Sequence, residues 1–147
     1  MTSAAGARVY TLGYQGRDLA EVLETVRGHN VLQVIDVREN ARSRKPGFET
    51  GELRRALAGI GVAYTHMPEL GCAAEARHAL WGGESTGPFF EAYRRRLAER
   101  PQAVAALLQQ VRSMPTLLLC LERDPSRCHR AVLVERLRAD GLVPQDL

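Results

Sequence analysis

Short apolar runs along the chain predict the strands of a sheet. Residues 31–37 and 116–121 are almost continuously apolar, which is typical of central strands in a parallel sheet that is covered on both faces. Residues 8–14 and 62–67 are rich in β-branched and aromatic residues and predict two more strands. Residues 142–147 predict a weak edge strand, because Pro144 interrupts them.

The stretches between these strands carry apolar residues at helical spacing. Asp18 is the predicted N-cap of the first helix, Glu21 completes a capping box with it, and Gly28 ends the helix. The same spacing predicts further helices over residues 51–58, around 90–97, from Pro101 to about 111, and from Pro125 to about 139 with Asp124 as N-cap.

The order of these elements predicts the fold class. Strands that alternate with helices favour a single open, mostly parallel sheet with helices on both faces, that is, a Rossmann-like three-layer α/β fold. We expect one domain over residues 1–147, with a flexible tail at 1–6 and a long loop or lid at 69–88 that has room for a short helix at 73–81. Ligands of such sheets bind beyond the carboxyl ends of the strands, so we expect the site there.

Composition narrows the class of protein further. The chain has 147 residues, of which 45% are hydrophobic and 25% are charged, as in soluble globular domains. It has no apolar run of the roughly 20 residues that span a bilayer, and its first residues lack the pattern of a signal peptide, so we expect a cytoplasmic protein without a membrane partner. The three cysteines are an odd number, which favours free thiols over a disulfide framework. Lys45 is the sole lysine, so almost all of the positive charge is arginine, which is suited to phosphates and carboxylates.

The densest group of reactive residue types lies between Cys120 and Arg130. Cys120 ends a predicted buried strand, and Cys128 falls in the first turn of the last predicted helix, where backbone dipoles and the neighbouring His129 favour a thiolate. We predict that Cys128, His129, Glu122 and Cys120 are catalytic, with covalent work on Cys128 or proton transfer through His129. The alternative is that both cysteines are small buried hydrophobes.

Arg130 is expected to be buried, because its position matches the apolar face of the last helix. It precedes Leu133, Val134 and Leu137 by three, four and seven residues. A buried guanidinium needs a carboxylate or a bound anion. Asp36, which ends the other buried strand, is the predicted partner, and the pair either serves the site or only ties the sheet together.

Two further segments leave the same edge of the predicted sheet. Asp36 and Arg38 begin a basic loop that is suited to phosphates. His66 and Glu69 follow the third strand and could supply acid–base chemistry. The alternatives are a solvated basic loop and a histidine bonded only to backbone. The predicted substrate-binding residues are Asp36, Arg38, Arg44, His66, Glu69 and Arg130.

Metal binding is a further alternative for the same segment. Cys120, Cys128 and His129 offer three ligand types, and a fourth would come from His66, Cys72 or Glu122. Their spacing matches no standard zinc pattern. We therefore predict neither a metal nor a cofactor.

Several of these segments together resemble a known family. Residues 11–14, 34–38, 42–44, 64–71 and 119–122, followed by Cys128, His129 and Arg130, are similar to the domain-of-unknown-function family 488. The resemblance implies a compact α/β domain and implies no activity. A weaker likeness to rhodanese domains rests on residues 35–39 and Cys120, which would imply a persulfide on Cys120. In those domains a short loop wraps the cysteine and closes with an arginine, whereas Arg130 comes ten residues after Cys120.

Three functions remain open at this point. The first is an enzyme that acts on a small phosphate-bearing or nucleotide-like substrate at the carboxyl ends of the strands. The second is a non-catalytic module that binds a nucleotide or nucleic acid through the same arginines. The third is a thiol or sulfur-handling protein. The sequence pattern does not predict an oligomeric state.

Overall fold

The chain forms an α/β domain in a computed structural model that describes residues 8–83 and 85–147. The predicted tail at residues 1–6 lies outside the described residues. The described strands are β1 (Val9–Gly13), β2 (Gln33–Asp36), β3 (Ala63–His66), β4 (Thr116–Cys120) and β5 (Gln145–Asp146). The predicted strands are therefore confirmed, and the weak edge strand begins only after Pro144.

All five strands belong to one sheet in the order β3-β2-β4-β1-β5. Every pairing is parallel, which confirms the predicted fold class. From β1 the chain moves towards one edge to form β2 and β3, and it then returns to insert β4 between β2 and β1. The carboxyl end of β4 therefore lies at the point where the strand order reverses, where ligands of open α/β sheets bind.

Helices cover both faces of this sheet. They are α1 (Leu19–Gly28), α2 (Thr50–Ala58), α3 (Ala74–Trp81), α4 (Thr86–Ala98), α5 (Pro101–Ser113) and α6 (Arg130–Ala139). The predicted capping box at the start of α1 is present, since Asp18 accepts from the Glu21 amide and the Glu21 side chain accepts from the Asp18 amide. No helix in the described ranges is long and apolar enough to cross a membrane.

Two separate cores hold the three layers together. Successive strand residues point to opposite faces, so Leu117 and Leu119 of β4 face α1 and α2, whereas Leu118 faces the other side. The second core contains residues of α4, α5 and α6, including Tyr93, Val111 and Leu133. Both faces of the central strands are thus buried, as their continuous apolar pattern predicts.

Two boundaries differ from the sequence-based expectations. The segment at 69–88 is largely helical rather than a long loop, because it contains the end of a 3-10 turn (Pro68–Leu70), all of α3 and the start of α4. The last helix begins at Arg130 and not at Pro125. Asp124 is a cap as predicted, but its side chain accepts from the Ser126 amide and closes only a single 3-10 turn.

Candidate functional site: a cysteine, histidine and arginine cluster

A cavity of about 100 Å³ opens at the carboxyl ends of the central strands. It lies where the strand order reverses, next to the end of β4. Residues from six parts of the chain line it: Tyr14, Arg38, Asn40, Arg42, Cys72, Arg77, Trp81, Phe89, Cys120, Leu121, Glu122, Arg127, Cys128 and His129. All four predicted catalytic residues are therefore brought together at one cavity.

Cys128 lies between the 3-10 turn and α6, and protein donors surround its sulfur. Its backbone is extended and not helical, with φ −130° and ψ 146°. The first amide of α6, that of Arg130, donates to the Cys128 Sγ at 3.5 Å, and the Arg130 Nε donates to it at 3.4 Å. The His129 Nδ1 is 3.7 Å away. These contacts suit a thiolate better than a neutral thiol.

The orientation of His129 is fixed by Val37, which directly follows β2, the strand next to β4. Its Nε2 donates to the Val37 carbonyl at 2.9 Å, because a carbonyl oxygen can only accept. The remaining nitrogen, Nδ1, therefore faces the sulfur atoms of Cys128 at 3.7 Å and Cys120 at 3.9 Å. The ring of Tyr93 packs edge-on against the imidazole, with centroids 5.0 Å apart. His129 is thus placed to hold a proton taken from a neighbouring thiol.

Each of these three groups shifts the pKa of the others. Burial opposes charge on Cys128, but the neighbouring Cys120 thiol and the charge of His129 outweigh it and hold the pKa of Cys128 well below its usual range. The neighbouring Cys128 sulfur, with burial, raises the pKa of Cys120 well above its usual range. Burial opposes charge on His129 as well, yet the charge of the Cys120 and Cys128 pair raises the pKa of His129 well above its usual range. The site therefore favours a Cys128 thiolate, a His129 imidazolium and a neutral Cys120.

Arg130 is fully buried as expected, but its predicted partner is wrong. Its Nη1 donates to the Asp146 carboxylate at 2.8 Å, and its Nη2 donates to the Glu122 carbonyl at 2.5 Å. Asp146 belongs to β5, which pairs with β1 on one side of β4, whereas Asp36 belongs to β2 on the other side. The guanidinium extends towards β1 and β5, so the ion pair with Asp36 does not form.

Asp36 instead pairs with Arg38. Its carboxylate accepts from the Arg38 Nε at 2.8 Å and Nη2 at 2.5 Å, and from the Tyr64 hydroxyl at 2.5 Å. Arg38 also donates to the Tyr14 hydroxyl and to the Phe48 carbonyl. Burial, followed by the charge of Asp36, raises the pKa of Tyr64 to about 12. Asp36 is fully buried and Arg38 nearly so, so this network holds the strand ends in position beneath the cavity.

The other predicted binding residues, His66, Arg44 and Glu69, do not line the cavity. The Nε2 of His66 donates to the Arg38 carbonyl at 2.7 Å, and His66 lines a neighbouring hollow and not the cavity itself. Arg44 is exposed on the basic loop. Glu69 is exposed and lines a separate hollow beside α5. Glu122 contributes the sole carboxyl group among the described residues that line the cavity.

The sequence analysis missed several residues of the cavity wall. Arg77 and Trp81 belong to α3, within the segment 69–88 that was expected to be a long loop or lid with room for a short helix, and Phe89 belongs to α4 just after it. The guanidinium of Arg77 lies over the Trp81 ring, 5.6 Å from its centroid. The buried Nε of Arg77 has no hydrogen-bond partner among the residues that the structure describes. Arg127 also lines the cavity. It lies between Cys120 and Arg130 in the sequence, and its guanidinium group was the one feature that could have identified it as a binding residue.

Cys120, Cys128 and His129 are also the group that could hold a metal. Their ligand atoms all lie within 4.8 Å of one another, and Cys72 and Glu122 line the same cavity. His66, the other candidate ligand, does not line it. The Cys128 sulfur already accepts from Arg130, and the buried positive guanidinium lies against it. This donor set suits an anionic sulfur better than a bound cation.

The fold and this cluster define a three-layer α/β protein with a cysteine, histidine and arginine site at the strand ends. Comparison with known families matches residues 18–137 to the family described as Domain of unknown function DUF488. The chain belongs to this family. Searches of curated proteins and of solved structures find no match. The weaker likeness to rhodanese domains has no support in these comparisons.

Proposed function

We propose that this chain is an enzyme that uses Cys128 as a nucleophile on a small phosphate-bearing substrate. The observation that carries the proposal is the Cys128 sulfur, which accepts two hydrogen bonds from Arg130 and faces His129 in the wall of a cavity. A thiolate held in this way is a nucleophile near neutral pH.

The charge of the cavity wall supports an anionic substrate. Arg42, Arg77 and Arg127 line the cavity, opposed by the single carboxyl group of Glu122 among the described lining residues. Arginine binds phosphate through a planar fork of donors. The unpartnered Nε of Arg77 is a donor that a bound anion would satisfy.

The volume of the cavity and the exposed aromatic ring at its rim favour a substrate that carries both a phosphate group and an aromatic ring. A volume of about 100 Å³ suits a phosphoryl group but not a whole nucleotide. The Trp81 side chain is 50% exposed at the rim, where an aromatic ring of the substrate could stack on it. A nucleotide-like substrate would thus place its phosphate inside the cavity and its base outside.

The chemical step follows from these positions. The Cys128 thiolate attacks phosphorus, an S–P bond forms, and the ester P–O bond breaks. The leaving oxygen takes a proton from solvent water. A water molecule later attacks phosphorus, the S–P bond breaks, the proton of that water goes to the solvent, and phosphate and the thiolate are released. His129 keeps its proton throughout and stabilises the free thiolate between turnovers.

Phosphate release from p-nitrophenyl phosphate and from nucleoside monophosphates tests this proposal. We expect turnover by the wild type, a phosphoryl adduct on Cys128 after acid quench, and at least a hundredfold loss in Cys128→Ser, since the nucleophile is removed. Cys72→Ser is the matched control, because Cys72 is buried and lines the same cavity but lies outside the cluster around His129.

A non-catalytic module that binds phosphate is the second candidate, and the same arginine-rich wall favours it. Such a module would bind inorganic phosphate in the wild type and in Cys128→Ser alike, with affinity that falls as salt rises and with no turnover. Equal turnover by the wild type and Cys128→Ser would exclude the nucleophilic mechanism.

A further inference from the structure

A second sulfur lies beside the proposed nucleophile. The sulfur atoms of Cys120 and Cys128 and a ring nitrogen of His129 all lie within 4.8 Å of one another. Both cysteines are free thiols that line the same cavity. The hydrolytic step proposed above uses the Cys128 sulfur and leaves that of Cys120 without a role.

The two thiols differ in pKa and in the hydrogen-bond donors around them, as the attacking and resolving thiols of a dithiol pair do. The neighbouring Cys120 thiol and the charge of His129 lower the pKa of Cys128, and the neighbouring Cys128 sulfur raises the pKa of Cys120. Arg130 and His129 surround the Cys128 sulfur, whereas Cys120 has contacts from His129 at 3.9 and 4.0 Å. One sulfur is thus poised to attack an electrophile, and the other stays protonated next to it.

We propose that Cys128 is a site of reversible oxidation by hydroperoxides and that Cys120 is its resolving thiol. This inference rests on the same thiolate as the proposed function but not on any phosphate-bearing substrate. It assigns Cys120 the closing of a disulfide with Cys128.

The oxidation takes two steps and needs only the peroxide, the two thiols and a proton from His129. The Cys128 thiolate attacks the terminal oxygen of the hydroperoxide, an S–O bond forms and the O–O bond breaks. The departing alkoxide takes a proton from His129 and leaves as an alcohol. The Cys120 thiol then attacks the sulfenic sulfur, the S–S bond forms, the S–O bond breaks, and the hydroxyl leaves as water with the proton of Cys120.

The local chain geometry allows the sulfur atoms to meet. A disulfide needs its sulfur atoms about 2 Å apart, so the present separation must shorten. Cys120 is fixed at the end of β4, between two paired strands. Cys128 belongs to neither the 3-10 turn nor α6, so its side chain can approach without breaking the ladder of the sheet. Formation of the disulfide would break the two hydrogen bonds that Arg130 donates to the Cys128 sulfur.

The test is a titration of the reduced, metal-free wild type with hydrogen peroxide, followed by intact mass and peptide mapping. We expect the loss of two hydrogens and a peptide that joins Cys120 to Cys128, reversed by dithiothreitol. Cys120→Ser should instead gain one oxygen and then two on Cys128, because no thiol captures the sulfenic acid. Cys72→Ser should behave as the wild type does.

Three results would overturn the inference. They are a wild type that gains oxygen without losing hydrogens, a disulfide mapped to Cys72, and a Cys120→Ser variant whose oxidation matches the wild type. If Cys120→Ser does not fold by circular dichroism, Cys120→Ala replaces it, and the map of the wild-type disulfide is independent of both variants. No substrate enters this assay, so its outcome is separate from that of the phosphatase assay.

Discussion

Replacing Asp36 with asparagine should destabilise the protein severely, although Asp36 itself does not line the cavity. Asn is nearly the same size as Asp, so the change removes the charge and keeps the volume. The carboxylate accepts three hydrogen bonds from Arg38, including the Arg38 amide at 3.1 Å, and one from Tyr64. After the change, the Arg38 guanidinium stays buried without its counter-charge.

The size of this effect follows from burial. Removing one partner of a buried ion pair costs about 3–5 kcal/mol, since the other charge is left uncompensated. A domain of this length has a total stability of about 5–15 kcal/mol, so Asp36→Asn should lower the melting temperature by about 10 °C. Tyr64→Phe removes one hydrogen bond to the carboxylate and should cost less, about 1.5–3 kcal/mol.

Urea denaturation followed by far-ultraviolet circular dichroism measures these differences as shifts of the midpoint. The matched control is Glu135→Gln, because Glu135 forms a similar two-bond pair with Arg94 at the surface. Such an exposed pair should contribute much less to stability than the buried pair does. The reasoning fails if Asp36→Asn destabilises no more than Glu135→Gln. A stable Asp36→Asn that loses phosphate binding would instead support the sequence-based prediction that Asp36 binds substrate.

Two further predictions concern the site itself. The pKa of Cys128 lies well below its usual range, so its alkylation by iodoacetamide should fall much less from pH 8.5 to 6.5 than that of an ordinary thiol, which loses about tenfold per pH unit. A tenfold loss per unit at Cys128, measured by peptide mass spectrometry, would contradict this. Gly13→Ala should destabilise by about 3 kcal/mol or more in urea denaturation, because the added Cβ would lie 1.8 Å from the Glu122 carbonyl oxygen. Gly28→Ala is its control, since a Cβ there meets nothing within 4 Å, and an unfolding midpoint of Gly13→Ala equal to that of Gly28→Ala would refute the close approach.

The fold could be predicted because most of its strands and helices carry their own local signal. The apolar runs of β2 and β4 identify strands that are buried on both faces, and the capping box of α1 identifies the start of a helix. The short helices of the 69–88 segment were harder to predict. α3 is eight residues long with no side-chain cap, so little in its local sequence separates it from a loop.

The ion-pair partner of Arg130 could not be predicted from the local sequence around Asp36 or Asp146. Asp36 ends a strongly apolar strand, whereas Asp146 lies in a strand of two residues just after a proline. The choice between them depends on which strand flanks β4 on each side, and only the three-dimensional strand order decides that. Cys128 and His129, in contrast, are neighbours in sequence, so their proximity required no knowledge of the topology.

The topology also explains why the cluster needs strands on both sides of β4. On one side, the Val37 carbonyl just after β2 fixes His129 so that its Nδ1 faces the sulfur atoms. On the other side, Thr11 of β1 donates to the Asp146 carboxylate at 2.5 Å, and this carboxylate holds Arg130 against Cys128. A sheet in which β4 lay at an edge would supply one of these supports and not the other. The low pKa of Cys128 therefore depends on the strand order as well as on the residues beside it.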